Sequence, residues 1–247
     1  MARKQGVSLP CVVSDDGFIR AVDLGVIGYA EAYGVQERAV VEVLAARERG
    51  GGVRAIVHVL EHPPVLTVTR RAKELGHVLA SPEVLQQHGI LVQDTDRGGD
   101  VTYHGPGQLV VYPIVDLNYF GLGLHAYMRL LEDVVIEACR GWGLEADRED
   151  AATGVWVGGR PDGRTAKVCA MGVRIRKWVS MHGLAINVEP DMRHFELIVP
   201  CGLAGRAVTS LKVELGERCP TLGEVKRVLV GGLERALAAK IPPRHVA

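Results

Sequence analysis

An excess of charge is missing from this sequence: 29 Lys and Arg stand against 29 Asp and Glu over 247 residues. A balanced chain sets up no broad electrostatic field, so neither nucleic acid nor an anionic membrane is expected as a partner. Cysteine is also scarce. The five residues are odd in number, widely spaced and without a CxxC pair, which excludes a disulfide framework and a structural zinc site. No stretch is long and apolar enough to span a bilayer. The opening Met1-Ala2-Arg3-Lys4 is basic, but Val7 to Val13 is broken by Ser8 and Pro10 and soon meets Asp15 and Asp16, so it is not a secretory core. Together these absences predict a soluble protein of a reducing compartment, with cytoplasmic localisation.

Repeats and low-complexity linkers are absent too, and a single domain over 1–247 is expected. What is present is glycine: thirty residues, more than the usual share, which suggests many tight turns around strands. Apolar residues at helical spacing predict a helix from Tyr29 to Arg47, stopped by Gly50-Gly51-Gly52. Ser81-Pro82-Glu83 reads as an N-cap and first turn of a short helix ending at Gly89. A third helix runs from His125 to Arg140, and Thr221 to Glu224 has the spacing of a capping box for a last one. Short β-branched runs predict strands at 54–60, 65–69, 109–115, 168–175 and 179–188, the last two forming a hairpin across Arg176-Lys177-Trp178. Strands and helices mix without regular βαβ alternation, which favours an α+β fold.

Familiar cofactor signatures are missing. No GK[ST] follows a glycine loop and no GxGxxG spacing occurs, so neither a phosphate loop nor a dinucleotide fingerprint is present. There is no HExxH. His58 and His62 would stand roughly 13 Å apart on a strand, too far to share an ion. No metal site and no cofactor are expected.

Three segments remain as candidates for chemistry. Arg97-Gly98-Gly99-Asp100-Val101-Thr102-Tyr103-His104-Gly105-Pro106-Gly107-Gln108 packs four glycines and a proline into twelve residues, either as a wall against which a ligand lies or as a plain turn between strands. Cys201 stands between Pro200 and Gly202 after an apolar run, the setting of a thiol presented on a loop. Lys167 begins a strand whose alternation puts Lys167, Cys169 and Met171 on one face, as a donor to a thiolate or as a solvated edge lysine. Cys169, mid-strand among apolar residues, is the rival nucleophile, with packing the stronger reading. His182 is either a Cys–His partner or a ring holding a strand end.

Taken in order, Glu61-His62-Pro63-Pro64-Val65, Arg97 to Gln108, Gly154-Val155-Trp156-Val157, Lys167 to Gly172, His182 to Asn187, Asp191 with Phe195, and Ile198 to Gly202 followed by Val208-Thr209-Ser210 resemble the lipoyl(octanoyl) transferase family. The resemblance covers most of the chain. It implies an α+β domain with a larger and a smaller mixed β-sheet flanked by helices, similar to the catalytic domain of biotin and lipoate protein ligases. It implies transfer of an octanoyl group from octanoyl-acyl carrier protein to one lysine of a lipoyl domain, in 2-oxoacid dehydrogenase E2 subunits and the glycine cleavage H protein. It places the acyl-thioester nucleophile on Cys201 and its activating lysine on Lys167. Substrate contacts fall on Arg97, Gly98, Gly99, Asp100, Val101, Thr102, Tyr103 and His104, on Ala170, Met171 and Gly172, and on Gly183, Leu184 and Ala185. The rival enzyme class is an ATP-dependent lipoate–protein ligase on the same fold, which needs no Cys201; the GRGRxGR pattern of biotin ligases is absent. No interface helix or coiled coil stands out, so a monomer is expected.

Overall fold

Three strands in this chain are buried almost without interruption, and they form the centre of the large sheet. The computed structural model describes residues 11–15, 17–149, 152–159, 163–199 and 206–241. Its elements run β1 (Cys11–Asp15), β2 (Ile19–Val26), α1 (Tyr29–Glu48), β3 (Ala55–Glu61), β4 (Val65–Val68), α2 (Arg70–Glu74), α3 (Pro82–Gln87), β5 (Leu91–Asp94), β6 (Val101–His104) and β7 (Gln108–Val115). They continue with α4 (Leu124–Gly141), β8 (Ala146–Glu149), β9 (Ala152–Val157), β10 (Ala166–Arg176), β11 (Val179–Asn187), a 3-10 turn (Met192–Leu197), β12 (Ala207–Val208), α5 (Leu211–Leu215) and α6 (Leu222–Ala238).

The larger sheet has the order β1-β2-β3-β7-β11-β10-β9-β8, with β12 added parallel to β10. β7 and β11 are buried along their whole length and β3 nearly so. They are covered on both faces and therefore need no polar alternation. One face receives α1 through Ala32, Ala39 and Val43. The other receives α4 and α6, where Leu131, Val135, Leu229 and Leu233 join Val57, Leu109 and Val111 in the principal core. The smaller sheet, β5-β4-β6, has its own core of Leu66, Val68, Leu85, Val101, Tyr103, Phe195 and Ile198. The two mixed layers confirm the α+β reading.

The caps read from sequence are in place. Ser81 Oγ accepts from Val84 N, and Thr221 and Glu224 close a reciprocal capping box. Lys177 and Trp178 both take positive φ in the β10–β11 hairpin, a turn whose twist suits the paired strands. The Arg97–Gln108 stretch is not all loop: its centre is β6, paired antiparallel to β4. The expected alternation on β10 also fails at its start. Pairing with β9 slips between Lys167 and Cys169, a bulge that leaves both Val168 and Cys169 in the principal core and turns Lys167 away from them.

Candidate active site

The seam between the small sheet and the β10–β11 hairpin encloses a cavity of about 450 Å³ including its open mouth. Its walls are Arg97, Gly99, Thr102 and His104 on one side and Ala170, Met171, Gly172, Gly183, Leu184 and Ala185 on the other. Tyr29, Tyr112 and His182 complete it. Close backbone approach makes this seam, and glycine allows it. Gly98 N donates to Val173 O at 3.0 Å, and a Cβ on Gly172 would stand 2.4 Å from Gly98 O. Arg97 is laid along the wall by hydrogen bonds from its guanidinium to Thr67 O, Thr67 Oγ1 and Gly98 O.

Strand alternation sorts the rest of this segment. Thr102 and His104 face the cavity, whereas Val101 and Tyr103 point into the small-sheet core. Tyr103 ends against His194, its hydroxyl 2.8 Å from Nδ1. Asp100 is turned to His77, 2.9 Å from its Nδ1. Of the expected substrate contacts, the structure thus brings together Arg97, Gly99, Thr102, His104, Ala170 to Gly172 and Gly183 to Ala185. It sets Gly98 behind the wall and Asp100, Val101 and Tyr103 away from it.

The cavity histidines His104 and His182, and His62 beside His104, are neutral at physiological pH. Burial, the nearby His62 and Arg97 push His104 down to about 3, and burial pushes His62 down to about 4. Gln108 Oε1 lies 2.6 Å from His104 Nδ1, so that nitrogen carries the proton. Gln108 Nε2 in turn donates to Asn187 Oδ1, and Asn187 Nδ2 donates to Thr209 O. His182 has φ 60° in mid-strand and is 1% exposed. Its backbone N–H donates to Gln36 Oε1, and its ring Nε2 lies 2.9 Å from Asp96 Oδ1. Asp96 also accepts from Tyr33 and Arg174, which ties α1, the small-sheet loop and the hairpin together at the cavity rim. Burial lowers the pKa of His182 against the opposing pull of Asp96.

Lys167 is 6% exposed. Its Nζ donates to Thr153 O at 2.9 Å and stands 4.7 Å from the centre of the Trp156 ring, a cation–π contact. Arg206 lies over the same ring at 4.7 Å and pairs with Glu149. Cys201 lies outside the described residues, but both flanks of its segment are pinned. Val199 N donates to His77 O, and Ile198 bridges Val78. On the far side Ala207 and Val208 pair with Ala166 and Lys167, and Thr209 N donates to Lys167 O. The described chain after Cys201 thus runs beside Lys167. Cys169 is fully buried, and desolvation raises its thiol well above the usual range, outweighing the pull of Lys167. That is the setting of a packing residue.

Tyr29, Tyr112, Asp96 and Trp156 were not singled out by sequence reasoning. Trp156 lay in a quoted motif without a role, and the Tyr29 and Tyr112 positions look like ordinary core of a helix and a strand. Among the described residues no group of three His, Cys, Asp or Glu side chains is arranged to hold a metal ion, and no helix is long and apolar enough to cross a membrane.

A layered α+β body with a cavity where the small sheet meets the large one defines a lipoyl-ligase-type catalytic domain. The profile of the lipoyl protein ligase A/B catalytic domain matches residues 34–234. A bi-partite lipoate protein ligase from Thermoplasma acidophilum has the same fold, with a TM-score of 0.64 at 18% identity over 90% of this chain and 84% of its own. Sequence likeness is greater to an octanoyltransferase of Bacteroides fragilis, 44% identical over 88% of this chain and 97% of the relative. An octanoyltransferase of Chloroflexus aggregans is 44% identical over 85% of this chain and 90% of its own. The chain belongs to the lipoyl(octanoyl) transferase family and is an acyltransferase of protein lipoylation.

Proposed function

We propose that this chain, acting as one domain and as a monomer in the cytoplasm, moves an octanoyl group from octanoyl-acyl carrier protein to a specific lysine of a lipoyl domain. Acceptors are the lipoyl domains of 2-oxoacid dehydrogenase E2 subunits and the glycine cleavage H protein. The observation that carries the reading is Lys167: a buried lysine, anchored by Thr153 and Trp156, on the strand that pairs with Ala207 and Val208, shortly after Cys201 in the chain. A free thiol of pKa about 8.5 is only a few per cent thiolate at neutral pH, and a neighbouring ammonium makes the thiolate predominate.

In the first step the Cys201 thiolate attacks the thioester carbonyl. The carbon–sulfur bond to the pantetheine breaks, and Lys167 supplies the proton that the leaving thiolate takes up. The octanoyl group is now a thioester of Cys201, and Lys167 is a neutral amine. In the second step the acceptor lysine amine attacks, Lys167 takes its proton, and thiolate and ammonium are restored. Replacing a thioester by an amide runs downhill without ATP, metal or cofactor, and the covalent intermediate gives ping-pong kinetics. The apolar hairpin wall of Ala170, Met171, Leu184 and Ala185 suits an alkyl chain, with Arg97 and Thr102 at the polar side.

The ligase neighbour supports a second reading, an ATP-dependent lipoate–protein ligase on the same fold. Octanoyl-acyl carrier protein and an apo lipoyl domain, mixed with the enzyme without ATP, separate the two. Formation of octanoyl-lysine supports the transferase, and a strict requirement for ATP and free acid supports the ligase.

A further inference from the structure

One peptide unit carries Lys167 on its oxygen and a buried carboxylate on its nitrogen. Thr153 O accepts from Lys167 Nζ at 2.9 Å. The N–H of the same peptide, on Gly154, donates to Glu132 Oε1 at 3.2 Å. Negative charge at the N–H and positive charge at the carbonyl polarise the amide in the same direction, so each hydrogen bond strengthens the other. Sterics fix the arrangement. Gly154 has φ +119°, and a Cβ there would lie 2.5 Å from Cys169 O and 3.4 Å from Lys167 Cε. Only glycine lets the peptide lie against the lysine in this way.

Glu132 is 2% exposed, on a stretch of α4 whose buried neighbours are Leu131, Val134, Val135 and Ile136. Burying a carboxylate is costly unless it is paired and hydrogen-bonded. Its other oxygen accepts from Arg129 at 2.7 Å and Arg148 at 2.9 Å, which leaves Oε1 for Gly154. A leucine would fill this position more cheaply, so packing does not account for the acid.

We propose that Glu132 is a positioning residue for acyl transfer, fixing the Lys167 ammonium through the Thr153–Gly154 peptide. The proposal rests on the role given above to Lys167, and it extends the machinery to a helix that acts on no reacting atom directly. Three variants isolate the hydrogen bond. Glu132→Gln keeps an acceptor for Gly154 N–H. Glu132→Met with Arg148→Met removes acceptor and buried charge together, and Glu132→Asp keeps the charge but draws the acceptor back by one methylene.

Acetic anhydride labelling, read by peptide mass spectrometry, reports the freedom of the Lys167 amine against the exposed Lys177 of the same molecule. Steady-state octanoyl transfer gives kcat and KM. In the double variant and in Glu132→Asp, Lys167 labelling is expected to rise about tenfold relative to Lys177, the factor one hydrogen bond to a charged group is worth. The expected kcat falls by a similar factor, about tenfold, at constant KM for octanoyl-acyl carrier protein. Glu132→Gln keeps the acceptor but loses the charge that polarises the peptide, so its Lys167 labelling is expected to rise only about threefold, between wild type and the double variant. Unchanged Lys167 labelling and kcat in a folded double variant or in Glu132→Asp would overturn the proposal, as would Glu132→Gln behaving like the double variant. Glu132→Asp keeps the test available if the double variant does not fold. Should wild type transfer no octanoyl group while Lys167 labelling still responds to Glu132, the anchoring stands and the transferase reading fails.

Discussion

Lowering the pH from 7 to 5 should strongly destabilise this protein well before its carboxylates titrate, because it buries neutral histidines. His58 and His62 are held at about 4 and His104 at about 3, with burial the largest cause for each. An unfolded histidine titrates near 6.5, so between the two values the unfolded chain binds more protons than the folded one. Stability is therefore complete above about pH 6.5 and is lost as the pH falls toward the folded values. Each imidazole loses about 1.4 kcal/mol per pH unit, or about 2 kcal/mol at pH 5. For these residues together the loss is about 6 kcal/mol, comparable with the whole stability of an ordinary domain. Burial moves His182 and His194 in the same direction. Urea unfolding curves at pH 7, 6 and 5 measure the slope, and His58→Leu isolates one contributor. His58 Nδ1 is buried without a hydrogen-bond partner and stands outside the cavity, so this variant removes a proton site without breaking a bond. Its slope between pH 6 and 5 should be shallower by about one proton, roughly 1.4 kcal/mol per unit. An unchanged slope would refute the reasoning.

Three further outcomes follow from the site. Lys167→Met should slow alkylation of Cys201 by about 30-fold at pH 7 and hardly at all at pH 9.5, because thiolate then forms without help; a pH series with iodoacetamide and peptide mass spectrometry checks it. Gly154→Ala meets Cys169 O at 2.5 Å with φ at +119°, and should cost roughly 2–3 kcal/mol in the urea midpoint. Ala170→Leu fills part of the cavity, so kcat/KM for octanoyl donors should fall about tenfold while a butanoyl donor is retained, as assayed by transfer to an apo lipoyl domain.

Much of the fold was legible because it rests on local rules. The helices at Tyr29, Pro82, Leu124 and Leu222 begin at or within a residue of the positions their caps and periodicity indicate. Strands β3, β7, β10 and β11 betray themselves by β-branched apolar runs. β2 was missed because Arg20 and Asp23 interrupt its pattern, and β6 because glycines on either side made the whole segment look like a turn. In the site, the resemblance to the transferase family brought out the cavity walls at 97–104, 170–172 and 183–185, whereas the residue pattern alone left 97–108 as either a wall or a turn. Neither said which residues of 97–104 turn inward, since that depends on the pairing of β6 with β4. The bulge at Val168 has no local signature, and it decides that Lys167 leaves the core face while Cys169 stays. Contacts such as Asp96 with His182, or Glu132 with Gly154, join residues far apart in the chain and depend on tertiary packing.

The central claim is that Cys201 carries the acyl group and that Cys169 does not. Intact-mass measurement after incubation with octanoyl-acyl carrier protein tests it most directly. Wild type and Cys169→Ala should each gain one octanoyl group, released by hydroxylamine as a thioester is, and Cys201→Ala should gain none. An adduct that survives in Cys201→Ala, or that disappears in a folded Cys169→Ala, would contradict the account.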